Sequence, residues 1–266
     1  MEWLGYLAAT AIGISLGLIG GGGSILTVPV LVYLFGTDAI TATSYSLFIV
    51  GATSLIGAIR NYRAGQVQIK VAAIFGITSV ATVLIVRRLL LPTIPDILFA
   101  SETFTLSKNT ATLTLFAALM LAASLSMIRN RKPELQDHTQ QYSYSHLLLY
   151  GIAIGLITGF LGAGGGFLLI PALVLVLKLP MKQAIGTSLL IIAMNSLIGF
   201  TGDLDKSDMD WQLLFTITAL SITGLFVGAF LGQKISGQKL KKGFGWFVLI
   251  MGIYILVREF YSSLYL

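Results

Sequence analysis

The sequence predicts an all-α integral membrane protein built from two homologous repeats. Three observations carry this prediction: an apolar composition, a series of uncharged stretches of helical length, and an internal duplication. Of the 266 residues, 56% are hydrophobic and 11% are charged, whereas a soluble domain has about 25% charged residues. A soluble core of this length could not bury so much apolar surface.

Uncharged stretches recur along the whole chain, and several have the length of about 20 residues that a membrane helix needs. Helices are expected because lipid offers no partner to backbone groups and the alternation of a membrane barrel is missing. Since the stretches contain no Asp, Glu, Lys or Arg, an internal carboxylate relay is not expected. They run over 3–37, 39–59, 71–86, 109–128, 147–177, 183–202, 211–233 and 243–257.

Two of these stretches, 3–37 and 147–177, are too long for one membrane helix and too short for two. Each is interrupted by a glycine cluster, at 20–23 in the first and at 162–166 in the second. Broken helices are tolerated in a membrane only where they line a cavity. We therefore expect the first segment of each repeat to be re-entrant, with a short helix after the break.

The glycine breaks belong to a duplication. Adding 142 to the residue number superimposes 11–69 on 153–211 without a gap, with 19 identities in 59 positions. Duplications of this kind build many transporters. The predicted organisation is a first membrane repeat at 1–128, a cytoplasmic linker at 129–146 and a second membrane repeat at 147–266, with about four membrane segments in each repeat.

The distribution of charge predicts an inverted topology for the two repeats. The linker 129–146 begins with basic residues, which places it in the cytoplasm by the positive-inside rule. With re-entrant first segments, the basic linkers 60–70 and 234–242 also lie inside, and the acidic linker 203–210 lies outside. The arginines at 87–88 fall on the outer side and count against this scheme, and a parallel duplication is the alternative.

The glycine breaks also predict an anion site. The first backbone N–H groups of a helix have no helical partner, and the helix dipole adds about half a unit of positive charge. Two opposed helix starts near the midplane would bind an oxyanion, completed by hydroxyl and amide side chains of the next helices. The alternative is that the glycines serve close packing and the polar side chains bond between helices. The predicted binding residues are Gly22, Gly23, Ser24, Tyr45, Ser46, Gly164, Gly165, Gly166, Thr187, Ser188 and Asn195, with Thr53, Ser54 and Ser196 as further candidates and Pro29 and Pro171 as structural hinges.

The two breaks carry related motifs, GGGGSILTVPVL from Gly20 and GAGGGFLLIPAL from Gly162. Together with the segment AIGTSL at 184–189, they resemble the sulfite exporter TauE/SafE family of membrane permeases over essentially the whole chain. The resemblance implies a permease for sulfite, organosulfonates or thiosulfate in a bacterial plasma or inner membrane. The first repeat departs from the family pattern at 43–46, where TSYS replaces the Gly-Thr-Ser type of motif.

The expected function is a secondary transporter that works by alternating access around a midplane site between two opposed half-helices. A passive anion channel, or a permease for a different small anion, is the alternative. An enzyme is not expected because no Asp, Glu or His within a membrane segment can act as a base. The expected partners are a small sulfur-containing anion and the lipid bilayer.

No cofactor, metal site or nucleic-acid partner is predicted. The chain has no cysteine and no Walker motif, and its two histidines, His138 and His146, lie in a polar linker. Glycines at every fourth position over 151–159 and 224–232 are typical of close helix packing. We expect this packing within one chain, with the face of a homodimer as the alternative.

Overall fold

The computed structural model describes residues 2–21, 23–95, 97–101, 104–129, 144–161, 166–177, 179–203 and 209–264. Helices dominate, as predicted. The helices of the first half are α1 (Glu2–Ile19), α2 (Gly23–Leu34), α3 (Ala39–Arg63), α4 (Ile69–Ile85), α5 (Leu91–Thr93) and α6 (Lys108–Ile128). Those of the second half are α7 (Tyr144–Leu161), α8 (Gly166–Pro171), α9 (Met181–Phe200), α10 (Trp211–Lys234) and α11 (Gly237–Leu264). One π-helical turn, Val86–Leu90, joins α4 to α5, and another, Ala172–Val176, continues α8.

Within the described ranges, four helices are long and apolar enough to cross a bilayer: Ala39–Arg63, Ile69–Thr93, Met181–Phe200 and Trp211–Lys234. Large apolar side chains also point outward; Trp3, for example, is 84% exposed. Such surface is stable only against lipid. The structure is therefore that of a multi-pass membrane protein.

Hydrogen bonds between distant segments define two ends of the helix bundle. At the first, the Asp203 end, Tyr45 of α3 accepts a hydrogen bond from the backbone N–H of Asp210 at 2.6 Å. Arg87, after α4, pairs there with Asp203, after α9. At the opposite end, the Gln68 end, the backbone N–H of Gln68 donates to Thr187 Oγ1 at 2.9 Å. Helices α3 and α10 therefore begin at the Asp203 end, and α4 and α9 begin at the Gln68 end.

The central pair, α3 and α9, is antiparallel. Gly51 lies against Leu197, and Gly57 lies against Leu189, so residue numbers rise along α3 as they fall along α9. A Cβ atom at Gly51 would lie 2.9 Å from Leu197 Cγ. This spacing is closer than side chains allow, and glycine lets the two helices approach.

Two outer pairs join the halves of the chain, and both are parallel. Gly13 and Gly17 of α1 pack against Ser221 and Leu225 of α10. In the second pair, α7 packs on α4 in the same way: glycines at 151, 155 and 159 contact Thr78, Ser79 and Val86 in turn. The predicted glycine stripes therefore pack within one chain.

Helix α2 folds back along α1. Gly5, near the start of α1, contacts the ring of Phe35, which follows α2. Gly23, at the start of α2, lies against the carbonyl of Ile12 and the side chain of Leu16. The chain thus enters the bundle along α1, turns at the first glycine break, and returns along α2 to the end where α1 began.

A short β-hairpin adds to the predicted helical fold. Strand β1 (Ile97–Ser101) pairs antiparallel with β2 (Phe104–Ser107) between α5 and α6. The reason for this exception is Pro95, because a residue that precedes proline is disfavoured in helical conformation. Ile94 is accordingly extended, with φ −81° and ψ 121°. The β-branched and aromatic residues that follow suit a strand.

The contact between α1 and α10 yields a first testable prediction. A Cβ atom at Gly228 would overlap the carbonyl oxygen of Ile14 and lie 2.8 Å from its Cα. Because backbone atoms cannot rotate away, we expect Gly228→Leu to prevent assembly of the bundle, seen as aggregation in size-exclusion chromatography. Gly243→Leu is the control, since nothing lies within 4 Å of a Cβ there. A Gly228→Leu protein that elutes like the control would refute the close contact.

Candidate functional site

The two glycine breaks meet in space. A Cβ atom at Gly21 would overlap the carbonyl oxygen of Gly166, and one at Gly166 would lie 2.9 Å from Gly21 Cα. Gly20 has φ +82°, in the left-handed region that favours glycine. Backbone thus contacts backbone between the halves of the chain, and only glycine fits at either position.

Two serines lie beside this contact. Ser24 Oγ donates a hydrogen bond to the carbonyl of Gly21 at 2.7 Å. Ser188 Oγ, on α9, donates to the carbonyl of Ile185 at 2.9 Å and lies 3.0 Å from the position of a Cβ on Gly20. Both serines are fully buried. The structure therefore brings together Gly20, Gly21, Ser24, Gly166 and Ser188 from both halves.

The helices that follow the breaks begin at this contact and run apart. Helix α2 leads from Gly23 to the start of α3 at the Asp203 end, whereas α8 leads from Gly166 to the start of α9 at the Gln68 end. The N-terminal ends of two helices thus lie near each other. Both ends carry partial positive charge and N–H groups without helical partners, so the arrangement favours a negative ligand.

A set of buried polar atoms along the helices has no hydrogen-bond partner in the described part of the chain. Ser46 and Ser188 occupy matched positions of the duplication, as do Ser54 and Ser196. A buried polar atom without a partner costs about 1–3 kcal/mol, so such atoms suggest water or a ligand. The unpartnered oxygen atoms are Ser46 Oγ, Thr53 Oγ1, Ser54 Oγ, Thr158 Oγ1, Asn195 Oδ1 and Ser196 Oγ.

Thr158 was not among the residues predicted from the sequence. It is fully buried on α7, three residues before this helix ends at Leu161. Its partner under the shift of 142 residues is Leu16, which packs against Gly23. The repeat therefore carried no polar signal at this position.

Three predicted residues make structural contacts. Tyr45 and Thr187 bind backbone N–H groups at opposite ends of the bundle, to Asp210 and Gln68 respectively. Asn195 Nδ2 donates to Ser79 Oγ on α4 at 2.5 Å. For Asn195 the second side-chain atom, Oδ1, is still unpartnered.

The structure describes some of the remaining predicted positions but not all of them. Pro29 lies inside α2 and is buried, and Pro171 is the last residue of α8 before the π-helical turn. Gly23 packs against α1 through the carbonyl of Ile12. Gly22, Gly164 and Gly165 lie outside the described residues.

The expectation that the membrane segments contain no charged residue is wrong. Arg87 lies inside the apolar helix Ile69–Thr93 and is fully buried, where it pairs with Asp203. The charge of Arg87 ends the uncharged stretch at residue 86, and the sequence therefore predicts that the membrane segment ends there. The leucines at 89–91 resume the apolar run, and they were the available signal that the helix continues through the arginine.

Comparison with protein families supports the membrane assignment. A sequence model described as sulfite exporter TauE/SafE matches residues 5–255, nearly the whole chain. The chain belongs to the TauE/SafE family. It is therefore a membrane transporter and not an enzyme, which confirms both expectations.

Relatives of this TauE/SafE protein span most of its length. It is 31% identical over 257 residues to a probable membrane transporter protein of Xylella fastidiosa strain 9a5c, covering 94% of this chain and 93% of the relative. It is 28% identical over 218 residues to the probable membrane transporter protein YdhB of Bacillus subtilis strain 168, covering 82% and 85%. YunE, another probable membrane transporter protein of the same strain, is 27% identical over 256 residues, covering 90% and 89%. No solved structure matches the chain at a significant level.

Proposed function

We propose that this TauE/SafE protein is a secondary transporter of small sulfur-containing oxyanions, such as sulfite, an organosulfonate or thiosulfate. The observation that carries the proposal is the meeting of two helix starts at Gly21 and Gly166, beside the buried hydroxyls of Ser24 and Ser188. Helix starts and free hydroxyls donate hydrogen bonds without a full positive charge. This set suits a weakly held oxyanion, which a transporter also has to release.

The proposed transport cycle is alternating access by two inverted repeats. Support comes from the antiparallel packing of α3 on α9, which are matched elements of the duplication. Further support comes from the exchange of partners, because α1 packs on α10 as α7 packs on α4. Inverted repeats related in this way rock around a central site and open it to one side at a time.

The charge at the two ends supports an orientation. Arg60, Arg63 and Lys70 lie at the Gln68 end, and we assign this end to the cytoplasm by the positive-inside rule. Arg87 and Arg88 count against this assignment at the level of sequence. The pairing of Arg87 with Asp203 neutralises one of these two charges and weakens the objection, and Arg88 still counts against it.

We place the oxyanion beside the contact between Gly21 and Gly166, because the contact itself is filled by backbone. The proposed ligands are N–H groups at the start of α2 and α8, together with serine hydroxyls of both repeats. Ser46 and Ser188 are the central pair, since both repeats retain this serine. The proposed set is Gly22, Gly23, Ser24, Ser46, Gly164, Gly165, Gly166 and Ser188, with Asn195 Oδ1 as a further acceptor for a protonated anion.

A flux measurement tests this proposal. The purified protein is reconstituted in liposomes, and uptake of radiolabelled sulfite is measured with thiosulfate, sulfonate, sulfate and chloride as competitors. Saturable uptake that is accelerated by sulfite on the opposite side indicates a carrier. Flux without saturation or counterflow would favour the passive channel, and the absence of flux for every sulfur anion would refute the substrate class.

Ser46→Ala provides a specific prediction in the same assay. A hydrogen bond to a charged group contributes about 1.5–3 kcal/mol, so we expect the apparent affinity for the anion to fall at least about tenfold. Removing an unpartnered buried hydroxyl leaves the fold as stable as before or more stable. Ser124→Ala is the control, since Ser124 is equally buried but donates to Leu121 within its own helix. Equal affinity in both variants would remove Ser46 from the site.

A further inference from the structure

A second polar cluster surrounds Arg87 at the Asp203 end. Arg87 lies in the π-helical turn Val86–Leu90, and its Nη1 donates to Asp203 Oδ2 and, at 3.2 Å, to Ser44 Oγ. Ser44 Oγ in turn donates to Asp203 Oδ2 at 2.7 Å. All three side chains are at most 2% exposed. Nη1 is thus the guanidinium nitrogen that binds both Asp203 and Ser44.

The other edge of the same guanidinium group is unused. Arg87 Nε and Nη2 are buried and have no hydrogen-bond partner in the described part of the chain. Their N–H bonds lie on one side of the planar group and point in parallel, which is the geometry that holds two oxygens of an oxyanion. Leaving such donors unsatisfied in a buried site is costly, and this cost favours water or an anion as their partner.

The cluster occurs at one end of the bundle only, as judged from matched positions. Asp203 corresponds to Asn61 under the shift of 142 residues, and the same register extended to Arg87 leads to Ala229. Neither partner carries charge. The proposed midplane site is built from matched positions of the two repeats. The Arg87 cluster, in contrast, has no charged counterpart at the matched positions.

We propose that Arg87 is a second oxyanion-binding site, which holds the anion through Nε and Nη2 at the Asp203 end. The anion arrives at an arginine that is already paired, so the carboxylate of Asp203 repels it and keeps its affinity low. Weak binding next to an exit lets an ion leave as readily as it enters. The inference rests on the proposed function, because the ligand is the anion that the midplane site delivers.

Both donor atoms are closed to solvent in this structure. The anion reaches them only when the ends of α3, α4 and α9 around Arg87 separate. Separation opens the Nε and Nη2 edge to the anion, while Nη1 keeps its contact with Asp203.

The test is equilibrium binding of radiolabelled sulfite and thiosulfate to the purified full-length protein in detergent. Arg87→Lys keeps the charge opposite Asp203 but removes the paired N–H edge. We expect it to abolish the weaker of two binding sites or to lower that affinity at least about tenfold. The matched control is Arg88→Lys, whose side chain is exposed next to Arg87, and we expect it to bind both anions like the wild type.

Asp203→Asn gives the discriminating result. Loss of the competing carboxylate should tighten the weak site, by about tenfold for removal of one like charge nearby. If the ion pair is purely structural, we expect weaker binding instead, because the loss of the pair would only disturb the site. If Arg87→Lys does not fold, the double variant Arg87→Gln/Asp203→Asn removes both charges and should lose the same weak site.

The outcomes separate this inference from the proposed function. Wild-type-like binding by Arg87→Lys, or weaker binding by Asp203→Asn, overturns the Arg87 site and leaves the midplane site standing. A wild-type protein that binds neither sulfite nor thiosulfate overturns both. Two sites in the wild type and one in Arg87→Lys, with unchanged binding by Arg88→Lys, establish the second site.

Discussion

Replacing Gly21 by alanine is expected to stop anion transport. The new methyl group would overlap the carbonyl oxygen of Gly166 and lie 2.9 Å from its Cα, and backbone on both sides prevents a small local adjustment. The helix starts would move apart by about 1 Å, and a displacement of this size lowers the rate about 100-fold at a preorganised site. The initial rate of sulfite flux into liposomes measures this effect.

Two further glycine variants serve as comparisons for Gly21→Ala. Gly166→Ala approaches the same contact from the other repeat, with its Cβ 2.6 Å from Ile192 Cδ1 and 2.9 Å from Gly21 Cα, and it should show a similar loss. Gly243→Ala has open space at its Cβ and should transport normally. Size-exclusion profiles separate a transport defect from misfolding. Normal flux through a well-folded Gly21→Ala protein would contradict a role for the contact.

Replacing Arg87 by methionine is expected to destabilise the protein by about 3–5 kcal/mol, the cost of removing one partner of a buried ion pair. Asp203 would keep its hydrogen bond from Ser44 but lose the charge of Arg87. The free energy of unfolding, measured by denaturant titration in mixed micelles, gives the size of the effect.

The double variant Arg87→Met/Asp203→Leu is the matched comparison. It removes both charges, and apolar replacements of a buried pair are often neutral or stabilising, so it should recover most of the lost stability. If single and double variants unfold at the same denaturant concentration, the pair does not act as a unit. Arg88→Met, at an exposed neighbouring position, should be close to neutral.

The membrane fold was predictable from the sequence because its causes are local or periodic. Uncharged stretches predict helices, and glycine clusters predict breaks, since both depend on how lipid treats backbone groups. The duplication singled out Ser188, which lies against Gly20, and its matched partner Ser46, which is buried without a hydrogen-bond partner in the described part of the chain. That these serines bind the anion stays a prediction.

The parts that the sequence did not predict depend on distant residues. Tyr45 and Thr187 bind backbone N–H groups 165 and 119 positions away, and no pattern along their own helices marks such partners. Arg87 is compatible with a membrane helix only because Asp203, 116 positions away, neutralises it. The β-hairpin follows Pro95 in a linker that composition alone describes as polar.

The pairing of α1 with α10 sets the order in which this protein can assemble. Ser221 Oγ donates to the carbonyl of Ala9 across 212 positions of sequence, so α1 finds this partner only after α10 has been synthesised. Until Trp211–Lys234 has been synthesised, the glycine face of α1 has only lipid or other proteins to cover it. Chains that have not yet made α10 therefore leave the glycine face of α1 without its partner helix, whereas α4 and α7 can already pair.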